Sequence, residues 1–146
     1  MRFHGTYQHS VDQKGRVSMP SKFRKKLPDD LVIVPAFDKA LYVFAEDQFD
    51  EWVDSFYEQN GHEGFNERSA QDRRLCARLS GEAEDVSIDS AGRISISGKL
   101  REWAGIGKNV AIVGLRDHIA IWDKDIHENF TSGISLDDYQ EDSAAL

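Results

Sequence analysis

Cysteine is almost absent: Cys76 stands alone among 146 residues, so no disulfide can form within the chain, and it reads as a small helix residue rather than a nucleophile. Long apolar runs are missing too. Nothing approaches the roughly 18 consecutive apolar residues of a membrane-spanning helix. The opening MRFHGTYQHS lacks the apolar core of a secretory signal. These absences together lead to the expectation of a reducing, cytoplasmic setting. Catalytic signatures are also missing. There is no phosphate-binding loop, no dinucleotide glycine pattern and no nucleophile elbow. His4, His9, His62, His118 and His127 are scattered without metal-ligand spacing. No enzyme activity, cofactor, metal or small-molecule substrate is expected.

What the chain does have is an uneven distribution of charge. The net charge is −8, which argues at first against a polyanionic partner. Residues 1–27, however, carry Arg2, Lys14, Arg16, Lys22, Arg24, Lys25 and Lys26 against Asp12 alone, a net +6, and the remainder carries −14. A local field matters more to a polyanion than the total does. Asp12 to Leu27, DQKGRVSMPSKFRKKL, concentrates this charge and returns 77 residues later as DSAGRISISGKLREWA, from Asp89 to Ala104.

The surrounding pattern repeats as well. Tyr7, His9 and Val11 alternate with polar residues, as a half-buried strand does. Asp12 to Gly15 is turn chemistry, since Asp bonds to nearby backbone N–H groups and Gly15 permits positive φ. A helical ion pair between Asp12 and Arg16 is the alternative, disfavoured by the glycine between them and the β-prone segment that follows. A second strand leads to Pro20, suited to a first helical position. A short helix from Ser21 to Leu27 follows, stopped by Pro28. Leu31 to Val34 and Leu41 to Phe44 read as strands. Glu46 to Gln59 reads as a helix with Phe49, Trp52, Val53, Phe56 and Tyr57 on one face and acids on the other. A second helix is expected over Glu67 to Leu79, with Gly81 as its cap.

The second copy follows the same order. Val86 and Ile88 lead into Asp89, Gly92 takes the place of Gly15, and Lys99, Leu100 and Arg101 fall on Lys22, Phe23 and Arg24. Gly105 is suited to cap that helix. Val110 to Val113 and Ile119 to Trp122 return as strands, and Asp125 to Phe130 as a helical turn. The acidic segment 131–146 reads as a loose tail. Each copy has only about 45 residues, near the limit for an independent core, so the two are expected to share one. The aromatic helices are candidates for a subunit interface.

The D-x-K-G-R-V-S-x-P core with its K-x-R helix resembles the SpoVT-AbrB family of swapped-hairpin domains. Two copies in one chain, with the starting F-H-G and the D-S-A-G-R-I-S-I core, resemble the MraZ family of bacteria over roughly residues 1–130. The fold this implies is α+β and mainly β. Two pseudo-repeated units share one double-psi-like barrel core flanked by helices: domain 1 over 5–48, a helical linker over 49–82 and domain 2 over 83–126. The implied function is sequence-specific transcription regulation in the cytoplasm, on the nucleoid. A ring-shaped homo-oligomer would bind direct repeats in double-stranded promoter DNA and repress its own division and cell-wall gene cluster.

The resemblance assigns DNA contact to the D-x-x-x-R region, hence to Lys14 and Arg16, and by the second repeat to Arg93. Asp12 and Asp89, with Gly15 and Gly92, are expected to shape the turns, since a carboxylate repels phosphate. Arg suits guanine O6 and N7 in the major groove. Lys22, Arg24, Lys25 and Lys26 suit phosphates, which fix register without reading sequence. Lys14 becomes Ala91 in the second copy, and Lys25 and Lys26 become Glu102 and Trp103, behind Glu82, Glu84 and Asp85. The first copy is therefore expected to be the principal DNA face, with Arg93 either contacting DNA or pairing with an acid. An antitoxin-like module binding DNA and a protein is the competing reading, disfavoured by the two fused copies and the long aromatic helices.

Overall fold

A computed structural model describes residues 2–59 and 65–134. The first copy supplies β1 (Thr6–Ser10), β2 (Arg16–Ser18), α1 (Ser21–Arg24), β3 (Asp30–Pro35), β4 (Leu41–Ala45) and α2 (Glu46–Gln59). After α3 (Ala70–Gly81), the second supplies β5 (Glu84–Ser87), β6 (Arg93–Ser95), α4 (Gly98–Trp103), β7 (Asn109–Gly114), β8 (Ile119–Asp123) and α5 (Lys124–Thr131). The architecture is mixed α and β. A six-stranded antiparallel sheet runs β1-β7-β8-β4-β3-β5, and β2 pairs with β6 in a separate ribbon.

That order reads the same when the two copies are exchanged. The first strand of each copy pairs with the third strand of the other, β1 with β7 and β5 with β3, while β4 meets β8 at the centre. Neither copy closes its own sheet, which is how two units too small for separate cores come to share one.

Strand alternation then divides the apolar residues into layers. Leu31, Ile33, Leu41 and Val43 from one copy, and Val110, Ile112, Ile119 and Ile121 from the other, meet in the central core beneath Val17 and Ile94. On the opposite strand faces, Val32, Val34 and Phe44 pack beneath α2. Ala120 and Trp122 do the same beneath Ile126 of α5. The aromatic stripe of α2 is used as its spacing implies. Phe49, Val53 and Tyr57 are buried, Trp52 and Phe56 half-buried, and the acids of the other face exposed.

Helix ends differ from expectation in identifiable ways. Pro20 is the N-cap of α1, with ψ at 136°, rather than its first helical residue. The helix itself stops at Arg24, and turns carry the chain to Leu27. The helix expected from Glu67 starts at Ala70, because the Ser69 side chain accepts from the Asp72 N–H and fixes the start there. Gly81 is the last residue of α3, with Glu82 as the cap, so no left-handed glycine is used. Gly105 does cap α4. At φ 64°, its N–H donates to Glu102 and that of Ile106 to Arg101, the paired bonds of a Schellman ending. Of the expected loose tail, residues 135–146 lie outside the described residues, and Thr131 closes α5.

Candidate nucleic-acid interface

Both D-x-x-x-R segments fold into the same clasp. Asp12 Oδ1 accepts from the backbone N–H groups of Lys14 and Arg16, each at 2.9 Å, and Oδ2 accepts from Arg16 Nε at 2.7 Å. Asp89 repeats this with Ala91 and Arg93 at 2.9 Å, and with Arg93 Nε at 3.1 Å. Gly15 at φ 80° and Gly92 at φ 79° complete the turns, since only glycine enters that region without a Cβ penalty. The backbone N–H of Arg16 does most to hold the Asp12 carboxyl below its ordinary 3.8, and that of Arg93 does the same for Asp89. The ion pairs do join residues four apart, yet they span a β-turn and not a helix.

The clasp decides how each arginine is presented. Nε is taken by the carboxylate, which orients the guanidinium plane. Arg16 and Arg93 are 29% and 32% exposed. The β2–β6 register sets Arg16 opposite Ser95 and Ser18 opposite Arg93, with Val17 and Ile94 turned inward and wholly buried. Arg16 and Arg93 therefore share the outward face as diagonal neighbours, a spacing of about 7–8 Å in antiparallel ribbons.

The short helices cross over. The Arg24 guanidinium of α1 occupies the space a Cβ on Gly92 would need. The Arg101 guanidinium of α4 lies 2.9 Å from the corresponding point on Gly15, and its Nε donates to the Ile96 carbonyl at 3.0 Å. Each turn is thus flanked by a cation from the other copy. Arg101 is the residue that sequence reasoning left out of the site, although its alignment with Arg24 was the available signal.

The structure brings together Lys14, Arg16, Arg24 and Arg93 around the ribbon and its turns. Lys22 and Lys25 are exposed on and just after α1. Lys26 is committed elsewhere, its Nζ donating to the Arg2 carbonyl at 2.8 Å. The acids before the second turn are displaced by the same exchange: Glu84 and Asp85 line a groove with Lys14 and Arg101 of the first turn's surroundings. The turns therefore differ less in local charge than their sequences do.

Comparison with known proteins agrees with this duplicated arrangement. Residues 2–73 and 79–146 match the family model of the MraZ protein. Among similar curated proteins, the transcriptional regulator MraZ of Mycoplasmoides gallisepticum is 33% identical over 139 residues, 95% of this chain and 93% of the relative. That of Acetivibrio thermocellus is 34% identical over 129 residues, covering 88% and 86%. That of Treponema denticola is 33% identical over 143 residues, covering 97% and 95%. With both copies matched and relatives aligned nearly end to end, the chain belongs to the MraZ family.

Proposed function

We propose that this chain is a sequence-specific DNA-binding regulator of transcription whose β2–β6 ribbon reads bases with Arg16 and Arg93 together. The carrying observation is that two clasped, partly exposed arginines share one outward ribbon face, each oriented through Nε by the carboxylate of its own turn. A two-stranded ribbon fits the B-DNA major groove, and bidentate Arg contact to guanine contributes roughly 1–3 kcal/mol of discrimination. Lys14, Lys22, Arg24, Lys25 and Arg101 would hold phosphates beside the ribbon. Lys26 would instead tether the N-terminal arm.

Family membership and the names of the relatives support regulation of transcription. They also support the finer reading of the fold, in which two swapped-hairpin units, 5–48 and 83–126, share a double-psi-like barrel and 49–82 links them. The exchange of strands between copies fits that description. In this reading the protein acts on the nucleoid, binding direct repeats upstream of the division and cell-wall genes that include its own, and repressing them. One subunit offers few cations, so a ring that presents several identical ribbons would gain avidity on repeated sites.

The test is a gel shift on the DNA upstream of the protein's own gene beside a scrambled control, titrated with salt. Arg16→Ala and Arg93→Ala should each lose about 5- to 150-fold on the specific DNA, corresponding to roughly 1–3 kcal/mol. Lys25→Ala should weaken both DNAs alike and flatten the salt dependence. Unchanged affinity for Arg16→Ala with the assembly intact would overturn the assignment.

A further inference from the structure

The pseudo-symmetry of the fold is broken where the N-terminal arm runs. The N-terminal arm fills a slot beside α1. Phe3 is 2% exposed and meets the Phe23 ring edge-on, with centroids 5.6 Å apart. It also exchanges backbone hydrogen bonds with Arg116, and Gly114 leaves room for the arm to pass. The counterparts of Phe23, Gly114 and Arg116 in the other half are Leu100, Pro35 and Phe37. There these residues line an open cleft of about 440 Å³, completed by Trp52, Phe56 and Trp103. Leu79 at the end of α3 borders the cleft without closing it. Phe37 remains 52% exposed.

We infer that this cleft is filled by the C-terminal end of α5 from a second copy, with Phe130 taking the place that Phe3 takes in the other half. Phe130, in the last turn of α5, is 51% exposed, and Ile134, just past the end of that helix, is 58% exposed. Among the described residues both the cleft and this apolar knob are uncovered, and the chain's own α5 does not line the cleft. Charge agrees with the match. Arg78 and Lys99 at the cleft mouth have side chains 78% and 70% exposed, with Glu82 between them. α5 carries Asp125 and Glu128 against Lys124, a net negative charge. A contact between two different patches is head-to-tail, and it propagates until rotation closes it into a ring. The inference rests on the reading of the chain as a self-assembling regulator, and gives that assembly its two surfaces.

The experiment measures mass by sedimentation on the full chain without DNA. Phe130→Asp removes the knob, Ile134→Asp removes it without touching the stack of Phe130 on Trp122, and Ala36→Trp blocks the cleft. Each variant alone should sediment as a single chain with an unchanged circular dichroism spectrum. Mixing Phe130→Asp with Ala36→Trp should give a one-to-one pair that grows no further, because one intact cleft then meets one intact knob. Two folded knob variants that keep the wild-type assembly overturn the inference while leaving the regulator reading intact. So does native mass spectrometry that finds a small amphiphile in the cleft. A wild-type chain that is already single overturns the inference together with the ring, but not DNA reading by the ribbon, which the gel shift measures separately.

Discussion

The two halves of the molecule agree at their turns and disagree at their flanks. Asp12 and Asp89 hold Arg16 and Arg93 through the same three hydrogen bonds each, although Lys14 stands where the second copy has Ala91. At the flanks, Phe3 closes one slot and its counterpart is an open cleft. The turn is a local device: four or five residues suffice to specify it, so both copies keep it. The flank depends on what the chain happens to bring alongside, an arm in one half and α3 in the other. Duplication therefore preserves short-range chemistry and releases long-range packing for other uses.

The largest expected effect breaks the comparison at the flanks. Phe3→Ala should destabilise the fold by about 3–5 kcal/mol, the usual cost of emptying a buried Phe site. Phe37→Ala removes the same ring type from the open cleft, where half of it already faces solvent while the rest packs on Tyr42, Trp52 and Phe56, and should cost only about 1 kcal/mol. Urea unfolding of both, in the Phe130→Asp background so that assembly does not contribute, checks the difference. Equal losses would mean that the cleft is as much a part of the monomer's core as the slot.

Next in size is the contrast between the turn glycines. Alanine at either must adopt positive φ, costing about 1–2 kcal/mol. At Gly15 the new Cβ also meets the Ile96 carbonyl at 2.9 Å, a backbone atom that cannot swing aside, adding roughly 1–3 kcal/mol of overpacking. At Gly92 the three nearest atoms all belong to the Arg24 side chain, which can move. Gly15→Ala should therefore lose more thermal stability, and Gly92→Ala more DNA affinity. A reversed order in either measurement would show that the arginine crossings are not what distinguishes the turns.

These contrasts also mark what the sequence made legible. The clasps were readable because Asp, Gly and Arg act on backbone within four residues. The α2 helix was readable because its aromatic period and acidic face are local as well. The exchange of strands was not readable in detail, since β1–β7 and β3–β5 join residues from 51 to 107 positions apart, and either copy could have paired with itself. That is why the acids before Asp89 were assigned to the second turn, whereas Glu84 and Asp85 border Lys14. It is also why Arg101 escaped notice as a flank of Gly15. The start of α3 was missed for a smaller reason: the Ser69 side-chain bond outweighs the helix propensity of Glu67 and Arg68.

A smaller effect tests the remaining difference between the turns directly. Ala91→Lys gives the second turn the cation that Lys14 gives the first. If both turns face DNA, it should raise affinity a few-fold on all sequences and steepen the salt slope by about one unit, while Lys14→Ala lowers it by the same amount. A variant that changes neither slope nor affinity would restrict the interface to the first turn.

The smallest effect concerns how the clasps respond to acid. Both carboxyls are depressed in the folded protein, so any stability they contribute is present above the ordinary 3.8 and is lost as pH falls through their lowered values. Between pH 5 and 7 the clasps should be insensitive to pH. Carboxyl NMR titrations should give midpoints below 3.8 for both residues, and Asp12→Asn or Asp89→Asn should flatten the acid limb of the stability curve. The cause can be tested as well. The backbone N–H of the arginine, not its guanidinium, is the first contributor in each clasp. Arg16→Ala and Arg93→Ala should therefore raise the midpoint of the neighbouring Asp only part of the way back, because the alanine keeps the N–H. Full return to 3.8 in either variant would make the guanidinium the holder of the turn, rather than the group that the turn holds in place.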